Sequence, residues 1–251
     1  MSGRQMVDGG VVALAGFRYQ MLRALEEILI LHRGDPGGDW SVEVEHATDD
    51  KVDYAVYQGG RLIRAVQVKA SLPSSSTQIY LGGDRGVAAT LRHLARSLPT
   101  ASEVVLISNR RGPWRDIHDW VTMNQPATGP RLRAIQEARS LDETERDVVN
   151  LLRQTRVQRG APSDPASIRA LALILEAKLW RLGAQELTPT VGGSRSMSGP
   201  DVDAVVGLRD QALARAVGEL SWAMRWREPA GRAISRPGSS RSCLGSLTGT
   251  T

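Results

Sequence analysis

Apolar residues between positions 11 and 32 recur at the spacing of an amphipathic helix. They are Leu14, Phe17, Met21, Leu22, Leu25, Ile28 and Leu29. Their intervals of three and four residues are close to the helical period of 3.6, which places them on one face. Gly34 and Pro36 follow, and both residue types commonly end helices. The pattern therefore predicts one long helix near the beginning of the chain.

Three β-strands are predicted next, at residues 40–46, 53–57 and 62–69. In the first strand, polar and apolar residues alternate, so that Glu43 and Glu45 share the face opposite the apolar side chains. Gly59-Gly60 separates the second strand from the third, and this pair is typical of a tight hairpin turn.

The order of the elements predicts the fold class. After a loop rich in Pro and Ser at residues 72–76, the pattern indicates a helix at 85–98 and a buried strand at 103–108. Helix, three strands, helix and strand in this order favour an α/β fold with a mixed central sheet flanked by helices. Residues 1–125 contain all of these elements and are predicted to form one domain.

The remainder of the chain has a different pattern. Helical spacing covers residues 131–159, 163–182 and 201–226, with a linker rich in Gly and Ser at 192–199. This half shows no catalytic motif, so residues 126–227 are predicted to be a helical region for oligomerisation or partner contact. Residues 228–251 are rich in Ser, Gly and Arg with few apolar side chains, which is typical of a disordered tail.

Composition narrows the class of function. The net charge of +5 suits a polyanionic partner such as nucleic acid. A single cysteine excludes an intramolecular disulfide and a cysteine-based metal site. The sequence shows no signal peptide and no apolar run of roughly 18 residues, so we expect a cytoplasmic protein without a membrane partner. Only three of the 32 basic residues are lysines: Lys51, Lys69 and Lys178. Because the chain otherwise uses arginine, each lysine is a candidate for a role that needs a compact ammonium.

Candidate chemistry lies in the segment 43–69. Gln67 and Lys69 are two residues apart on one strand, so both side chains leave the same face of the sheet. Across the hairpin, Asp53 can lie beside them, and Glu45 on the neighbouring strand is a further acidic candidate. Carboxylate and amide oxygens hold Mg²⁺, which lowers the pKa of a bound water, and a nearby lysine stabilises the charge that develops during phosphodiester hydrolysis.

Two short motifs resemble a known family of nucleases. Asp53 followed by Gln67-x-Lys69 is similar to the D…QxK variant of the PD-(D/E)xK nucleases, in which Gln replaces the usual acidic residue. The segment 16–20, GFRYQ, resembles the GFxYQ opening of one branch, the double-stranded DNA endonuclease domain associated with CD-NTases in bacterial antiphage defence. The resemblance covers residues 11–109. It implies a restriction-endonuclease-like core and metal-dependent cleavage of double-stranded DNA.

The residue pattern and the resemblance together suggest roles for the candidates. Asp53 and Glu45 are expected to bind Mg²⁺ or Mn²⁺, with Gln67 as a further ligand or a water-orienting group. Lys69 is expected to stabilise the developing charge. Asp50 lies close enough in the sequence to replace Asp53 as the main ligand, and that choice stays open.

Other polar residues have weaker claims to a role. Gln20, in the GFRYQ segment, is predicted to support the site rather than to catalyse. The four histidines show no metal-ligand spacing and are interpreted as structural or surface residues. Arg110-Arg111, with Trp114 and Arg115, indicates either contacts to phosphates or a solvated charged turn.

The expected partners follow from this chemistry. We expect double-stranded DNA as the substrate and a homo-oligomer as the acting form, because a duplex break needs two sites. Residues 131–227 are shorter and more helical than the sensor domain usual in the family, so a signalling or sensor partner stays unassigned. Two alternatives remain: a non-catalytic module that binds DNA or a partner, and an RNase on the same scaffold.

Overall fold

The computed structural model describes residues 9–46, 49–70, 77–159, 164–184 and 196–225. The helices are α1 (Gly9–Gly34), α2 (Val87–Ser97), α3 (Trp114–Met123), α4 (Leu141–Gln158), α5 (Pro165–Ala184), α6 (Gly199–Val206) and α7 (Asp210–Arg225). The strands are β1 (Trp40–Val44), β2 (Tyr54–Gln58), β3 (Arg61–Lys69), β4 (Glu103–Ser108), β5 (Arg131–Gln136) and β6 (Ser196–Ser198). Within these ranges, no helix has the length and apolar character needed to cross a membrane.

The six strands of the described residues form one open, mixed sheet in the order β5-β4-β3-β2-β1-β6. The strands β3, β2, β1 and β6 pair antiparallel, whereas β4 and β5 extend the sheet from β3 in parallel. The predicted α/β class with a mixed sheet is therefore confirmed. The two-residue turn between β2 and β3 is also present, because Gly59 and Gly60 have φ values of 57° and 71°, which the hairpin geometry requires and glycine adopts without strain.

Helices cover both faces of the sheet. On one face, a large apolar cluster joins α1, α4 and α5 to alternate residues of the strands, including Val42, Val56 and Val66. On the other face, α2 and α3 pack over a second cluster that contains Ala55, Ala65 and the next alternate residues of the strands. The period-two alternation of the strands thus divides their side chains between the two clusters. Gln67 and Lys69 share the parity of Ala65, which directs them to the α2 side.

The segment 131–136 is a β-strand, so the prediction of a helix from residue 131 is wrong. This strand, β5, lies parallel to β4, and its Leu132 is buried in the second cluster. The helix α4 begins only at Leu141, where Ser140 and Glu143 form a capping box. The sheet therefore draws strands from both sides of residue 125: β5 pairs with β4, and β6 pairs with β1.

Three further boundaries differ from the sequence pattern. The helix α3 is an additional element, in which Trp114, Ile117 and Val121 are buried at helical spacing. The single helix expected at 201–226 is two helices, α6 and α7, because the chain turns at Gly207. The first strand ends at Val44 rather than at residue 46. The predicted loop at 72–76, residues 192–195 of the linker predicted at 192–199, and the predicted tail at 228–251 lie outside the described residues. The rest of that predicted linker is not a loop, because it forms β6 and the first residue of α6.

Candidate active site

Asp53 lies where α1, β2 and β3 meet. It immediately precedes β2, and its backbone N–H donates to the carbonyl of Val66 on β3 at 2.9 Å. One carboxylate oxygen accepts from the backbone N–H of Val68, and the other accepts from Nε2 of Gln20 on α1 at 2.8 Å. Two charge-assisted hydrogen bonds from different elements therefore hold the carboxylate in one orientation.

The charge of this carboxylate is poorly compensated by the protein. The pKa of Asp53 is raised to about 7, mainly because burial disfavours the charged form. The negative charge of Glu45 acts in the same direction, whereas the hydrogen bonds from Val68 and Gln20 and the charge of Lys69 oppose the shift. Because its negative charge is under-compensated, the Asp53 carboxylate favours binding of either a proton or an additional cation.

Glu45 is brought towards Asp53 by a break in the strand pattern. It follows the last residue of β1 with a φ of 54°, the left-handed region that residues other than glycine adopt at a cost of order 1–3 kcal/mol. Its backbone N–H donates to the carbonyl of Asp53 at 3.0 Å. Glu43 does not join them, because its carboxylate accepts from the Tyr57 hydroxyl at 2.8 Å. Of the two glutamates, Glu45 is the one whose negative charge acts on Asp53.

Gln67 and Lys69 line a cleft of about 300 Å³ between the sheet and the N-terminal turn of α2. The buried Oε1 of Gln67 has no hydrogen-bond partner within the described part of the chain. The ammonium of Lys69 donates to the carbonyl of Arg85 at 2.9 Å and to Oγ1 of Thr90 at 3.1 Å. The pKa of Lys69 is lowered, first by burial and further by the positive charges of Arg110 and Lys51.

The structure separates the neighbouring aspartates from this arrangement. Asp49 is buried, and its carboxylate accepts from the backbone N–H of Lys51 at 3.0 Å and from His93 at 3.1 Å. Asp50 is exposed on the turn. Among these three aspartates, only Asp53 accepts hydrogen bonds both from Gln20 on α1 and from Val68 on β3, the strand that carries Gln67. Of these two candidates, Asp53 and not Asp50 therefore contacts the strand that carries Gln67.

Sequence reasoning missed Thr90 and underestimated Gln20. Thr90 is buried on α2 between apolar neighbours. The sequence does contain a signal for it, because a polar residue at an inward position of an amphipathic helix is unusual and indicates a specific contact. Gln20, for which the sequence suggests only a supporting role, bonds directly to Asp53.

The tight start of α2 positions Thr90 and the Arg85 carbonyl. A Cβ added at Gly86 would lie 2.2 Å from the carbonyl oxygen of Gly82, so only glycine fits this close approach of the loop to the helix. The backbone N–H of Val87 donates to the Tyr80 carbonyl at 2.9 Å, which ties the first turn of the helix to the same loop. The partners of Lys69 are therefore held by the backbone.

The arginine-rich turn after β4 divides into buried and exposed parts. Trp114 is buried and donates from Nε1 to the Arg110 carbonyl at 2.9 Å, so it is not available to stack on a base. Arg111 and Arg115 are exposed, whereas Arg110 lines the cleft beside Lys69. Of the histidines, His32 is buried and hydrogen-bonds to Asp203, in agreement with a structural role.

The residues at Asp53 fit a divalent cation such as Mg²⁺ or Mn²⁺. The donor set is made of oxygen atoms, namely the carboxylates of Asp53 and Glu45 and the unpartnered Oε1 of Gln67, and hard cations prefer oxygen. Each oxygen of Asp53 accepts one protein hydrogen bond and keeps a further lone pair. The described residues contain no group of three or more His, Cys, Asp or Glu side chains at metal-binding distance. The candidate donors near Asp53 are two carboxylates and one amide oxygen.

Comparison with known proteins adds no assignment, because no family model, curated protein or solved structure matches the chain. The likeness to PD-(D/E)xK nucleases therefore remains a resemblance in two short motifs. The chemistry of the site rests on its own geometry and charge.

Proposed function

We propose that this protein is a metal-dependent endonuclease that cleaves double-stranded DNA on a restriction-endonuclease-like core. The observation that carries the proposal is that Asp53, a buried and under-compensated carboxylate, accepts a hydrogen bond from the Val68 amide, between Gln67 and Lys69 at the end of β3. This combination suits phosphodiester hydrolysis, which needs a cation at the phosphate and a positive group near the developing charge.

Each residue has a defined role in this proposal. Asp53, Glu45 and the amide oxygen of Gln67 would hold the cation, which polarises the phosphate and activates water when it is bound. Gln20 and the Val68 amide keep the Asp53 carboxylate in place. Lys69 presents an ammonium to the phosphate, and its lowered pKa reflects a group that is partly removed from water.

The biological setting is part of the same proposal. The GFRYQ and D…QxK resemblance supports a role in bacterial antiphage defence. Because one site of this kind cuts one strand, we further propose that two copies act together on a duplex. Phage plating on bacteria that express the wild type or Asp53→Asn tests the defence role, and protection by both proteins to the same extent would contradict it.

Cleavage is expected to require Mg²⁺ or Mn²⁺ and to stop in EDTA. The physical reason is that the donor set consists of oxygen atoms around a carboxylate whose charge the protein leaves under-compensated. The measurement is the conversion of supercoiled plasmid to nicked and linear forms with each cation, with Ca²⁺ and with EDTA. A duplex RNA of the same length serves as the control substrate.

Each outcome of this experiment decides between functions. Undiminished cutting in EDTA would contradict the metal assignment. Cation-dependent cutting of RNA but not DNA would replace the proposal with an RNase. Binding of duplex DNA without cutting under any cation would favour a non-catalytic module on the same fold.

Thr90→Val is expected to lower kcat by about tenfold with little change in KM. Valine keeps the shape of threonine but cannot accept from Lys69, and one charge-assisted hydrogen bond of roughly 1.4 kcal/mol corresponds to that factor. Thr90→Ser should restore the rate, because it returns the hydroxyl. The matched control is Thr155→Val, since Thr155 is also a buried helical threonine but bonds to the Leu151 carbonyl on α4. Equal losses in both valine variants would indicate a general effect on stability instead.

A further inference from the structure

Among the described residues, the cleft beside Lys69 is lined by more cationic side chains than carboxylates. It is lined by Lys51, Gln67, Lys69, Asp84, Arg85, Thr90 and Arg110. These residues provide four cationic side chains and one carboxylate, and Asp84 is exposed. Lys51, Lys69 and Arg110 line the same cleft, so their like charges disfavour one another. Such a cluster becomes favourable when an anion enters it.

Arg110 is held in place by hydrogen bonds to the main chain. Its Nε and Nη2 both donate to the carbonyl of Ala70, at 3.3 and 3.0 Å. Its backbone N–H donates to Oγ of Ser108 at 3.1 Å, and that hydroxyl donates to the Lys69 carbonyl at 2.6 Å. The Trp114 indole holds the Arg110 carbonyl. The guanidinium is therefore fixed relative to the end of β3 by main-chain atoms and not by a flexible ion pair.

The charge of Arg110 has no acidic counterpart within the described ranges. Burial lowers the pKa of Arg110, and no carboxylate acts to raise it. Other half-buried arginines of this protein are different: Arg64 lies against Glu27 and Glu103, whose charges raise its pKa. A fixed, desolvated and unneutralised guanidinium next to a candidate catalytic lysine points to an anionic ligand at this position.

We propose that Arg110, assisted by Lys51 and Arg85, forms a second phosphate-binding subsite that takes the backbone phosphate adjacent to the one that is cut. The inference rests on the proposed function, since it assigns the reacting phosphate to Asp53 and Lys69. Side chains and not a helix end supply the binding, because the first turn of α2 is tied to its own loop. Arginine presents a planar fork that matches two phosphate oxygens, whereas Arg111, one residue away, is exposed to solvent.

The test measures binding separately from cleavage. Anisotropy of a fluorescein-labelled DNA duplex is recorded with the full chain in EDTA, over a salt series of about 50–200 mM. Arg110→Ala is expected to weaken binding by about tenfold, equivalent to about 1.4 kcal/mol, and to reduce the slope of log K against log salt by about one. Arg111→Ala is the matched control and should bind like the wild type. Arg110→Lys, which keeps the charge without the fork, should lie between the two and covers the case in which the alanine variant does not fold.

Competition identifies the source of the phosphate. Inorganic phosphate and AMP, each at millimolar concentration, are expected to displace the duplex only weakly, because each supplies a single phosphate without the rest of the backbone. If inorganic phosphate or AMP displaces the duplex efficiently from the wild type but not from Arg110→Ala, the subsite binds a free phosphate or nucleotide. That result would overturn the proposal.

The two proposals fail in distinguishable ways. If Arg110→Ala and Arg110→Lys bind DNA as tightly as the wild type, or if Arg111→Ala loses as much affinity as Arg110→Ala, the subsite is wrong, whatever the plasmid assay shows. If Arg110 governs binding but no cation supports cutting, the subsite stands as a DNA-binding site and the nuclease proposal fails.

Discussion

Asp53→Asn and Lys69→Ala are each expected to lower the rate of plasmid cleavage by a factor on the order of 10²–10³, the loss seen when one group that stabilises a transition state is removed. The asparagine loses the negative charge that would hold the cation, and the alanine loses the ammonium beside the phosphate. Because both groups act mainly on the transition state, we expect the loss in kcat with a smaller change in KM. The measurement is the initial rate at saturating Mg²⁺ for each purified variant.

Two control variants separate these effects from changes in net charge. Asp50→Asn removes the same charge from an exposed turn and should cut normally. Lys178→Ala removes an ammonium that pairs with Asp201 at 2.6 Å, away from the cleft, and it should also be active. An inactive Asp50→Asn with an active Asp53→Asn would transfer the metal site to Asp50. Normal rates for both Asp53→Asn and Lys69→Ala would contradict the nuclease assignment.

The stability of Asp53→Asn provides an independent check on the site. In the metal-free protein, the raised pKa of Asp53 means that the folded state prefers the protonated carboxyl. The stabilisation from this group is complete below its unfolded pKa of about 4 and is lost as the pH rises through about 7. Asparagine carries no charge at any pH, so the variant should melt no lower than the wild type at pH 8. Its advantage should shrink towards pH 5, and a large loss of stability at pH 8 would show that the ionised carboxylate supports the fold.

Much of the candidate site could be predicted because it depends on local geometry. The period of two places Gln67 and Lys69 on one face, and a hairpin through Gly59-Gly60 returns the chain so that Asp53 meets the end of β3. Glu45 could not be placed by the same rule. Its left-handed conformation depends on the way β1 ends against Asp53, which alternation does not encode. The inward position of Thr90 on α2 is visible in the sequence, but its contact with Lys69 depends on how α2 packs over the sheet.

The missed elements of the fold depend on contacts between distant parts of the chain. The segment RLRAIQ of β5 is short, and its strand conformation is set by pairing along β4, from Arg131 opposite Glu103 to Gln136 opposite Ser108. The three residues of β6 form a strand only because β1 offers them an edge. Neither segment has an intrinsic preference for strand that is strong enough to separate it, in the sequence, from the helix that follows. The reason is that β-propensity depends strongly on neighbouring strands.

Removal of residues 126–251 is expected to leave a chain that does not fold, in contrast to the self-sufficient domain that the sequence pattern predicts for residues 1–125. Nearly half of the buried residues in the larger apolar cluster come from beyond residue 125, including Val148, Leu152 and Leu175. Their loss would expose apolar side chains of α1 such as Leu25 and Ile28, which are fully buried in the intact protein. Each such exposure costs roughly 1.5–3 kcal/mol, whereas a whole domain is stable by only about 5–15 kcal/mol.

The measurement compares two shortened chains by circular dichroism and thermal melting. A chain ending at Gln125 should show no cooperative transition and no cleavage, because β4 would also lose its pairing with β5. The matched control ends at Arg225, which keeps every described helix and strand, and it should melt cooperatively and cut as the full chain does. A cooperative transition together with nicking activity in the chain ending at Gln125 would establish residues 1–125 as an independent nuclease domain. The helices α4 to α7 would then have a role outside its core, such as joining two copies on a duplex.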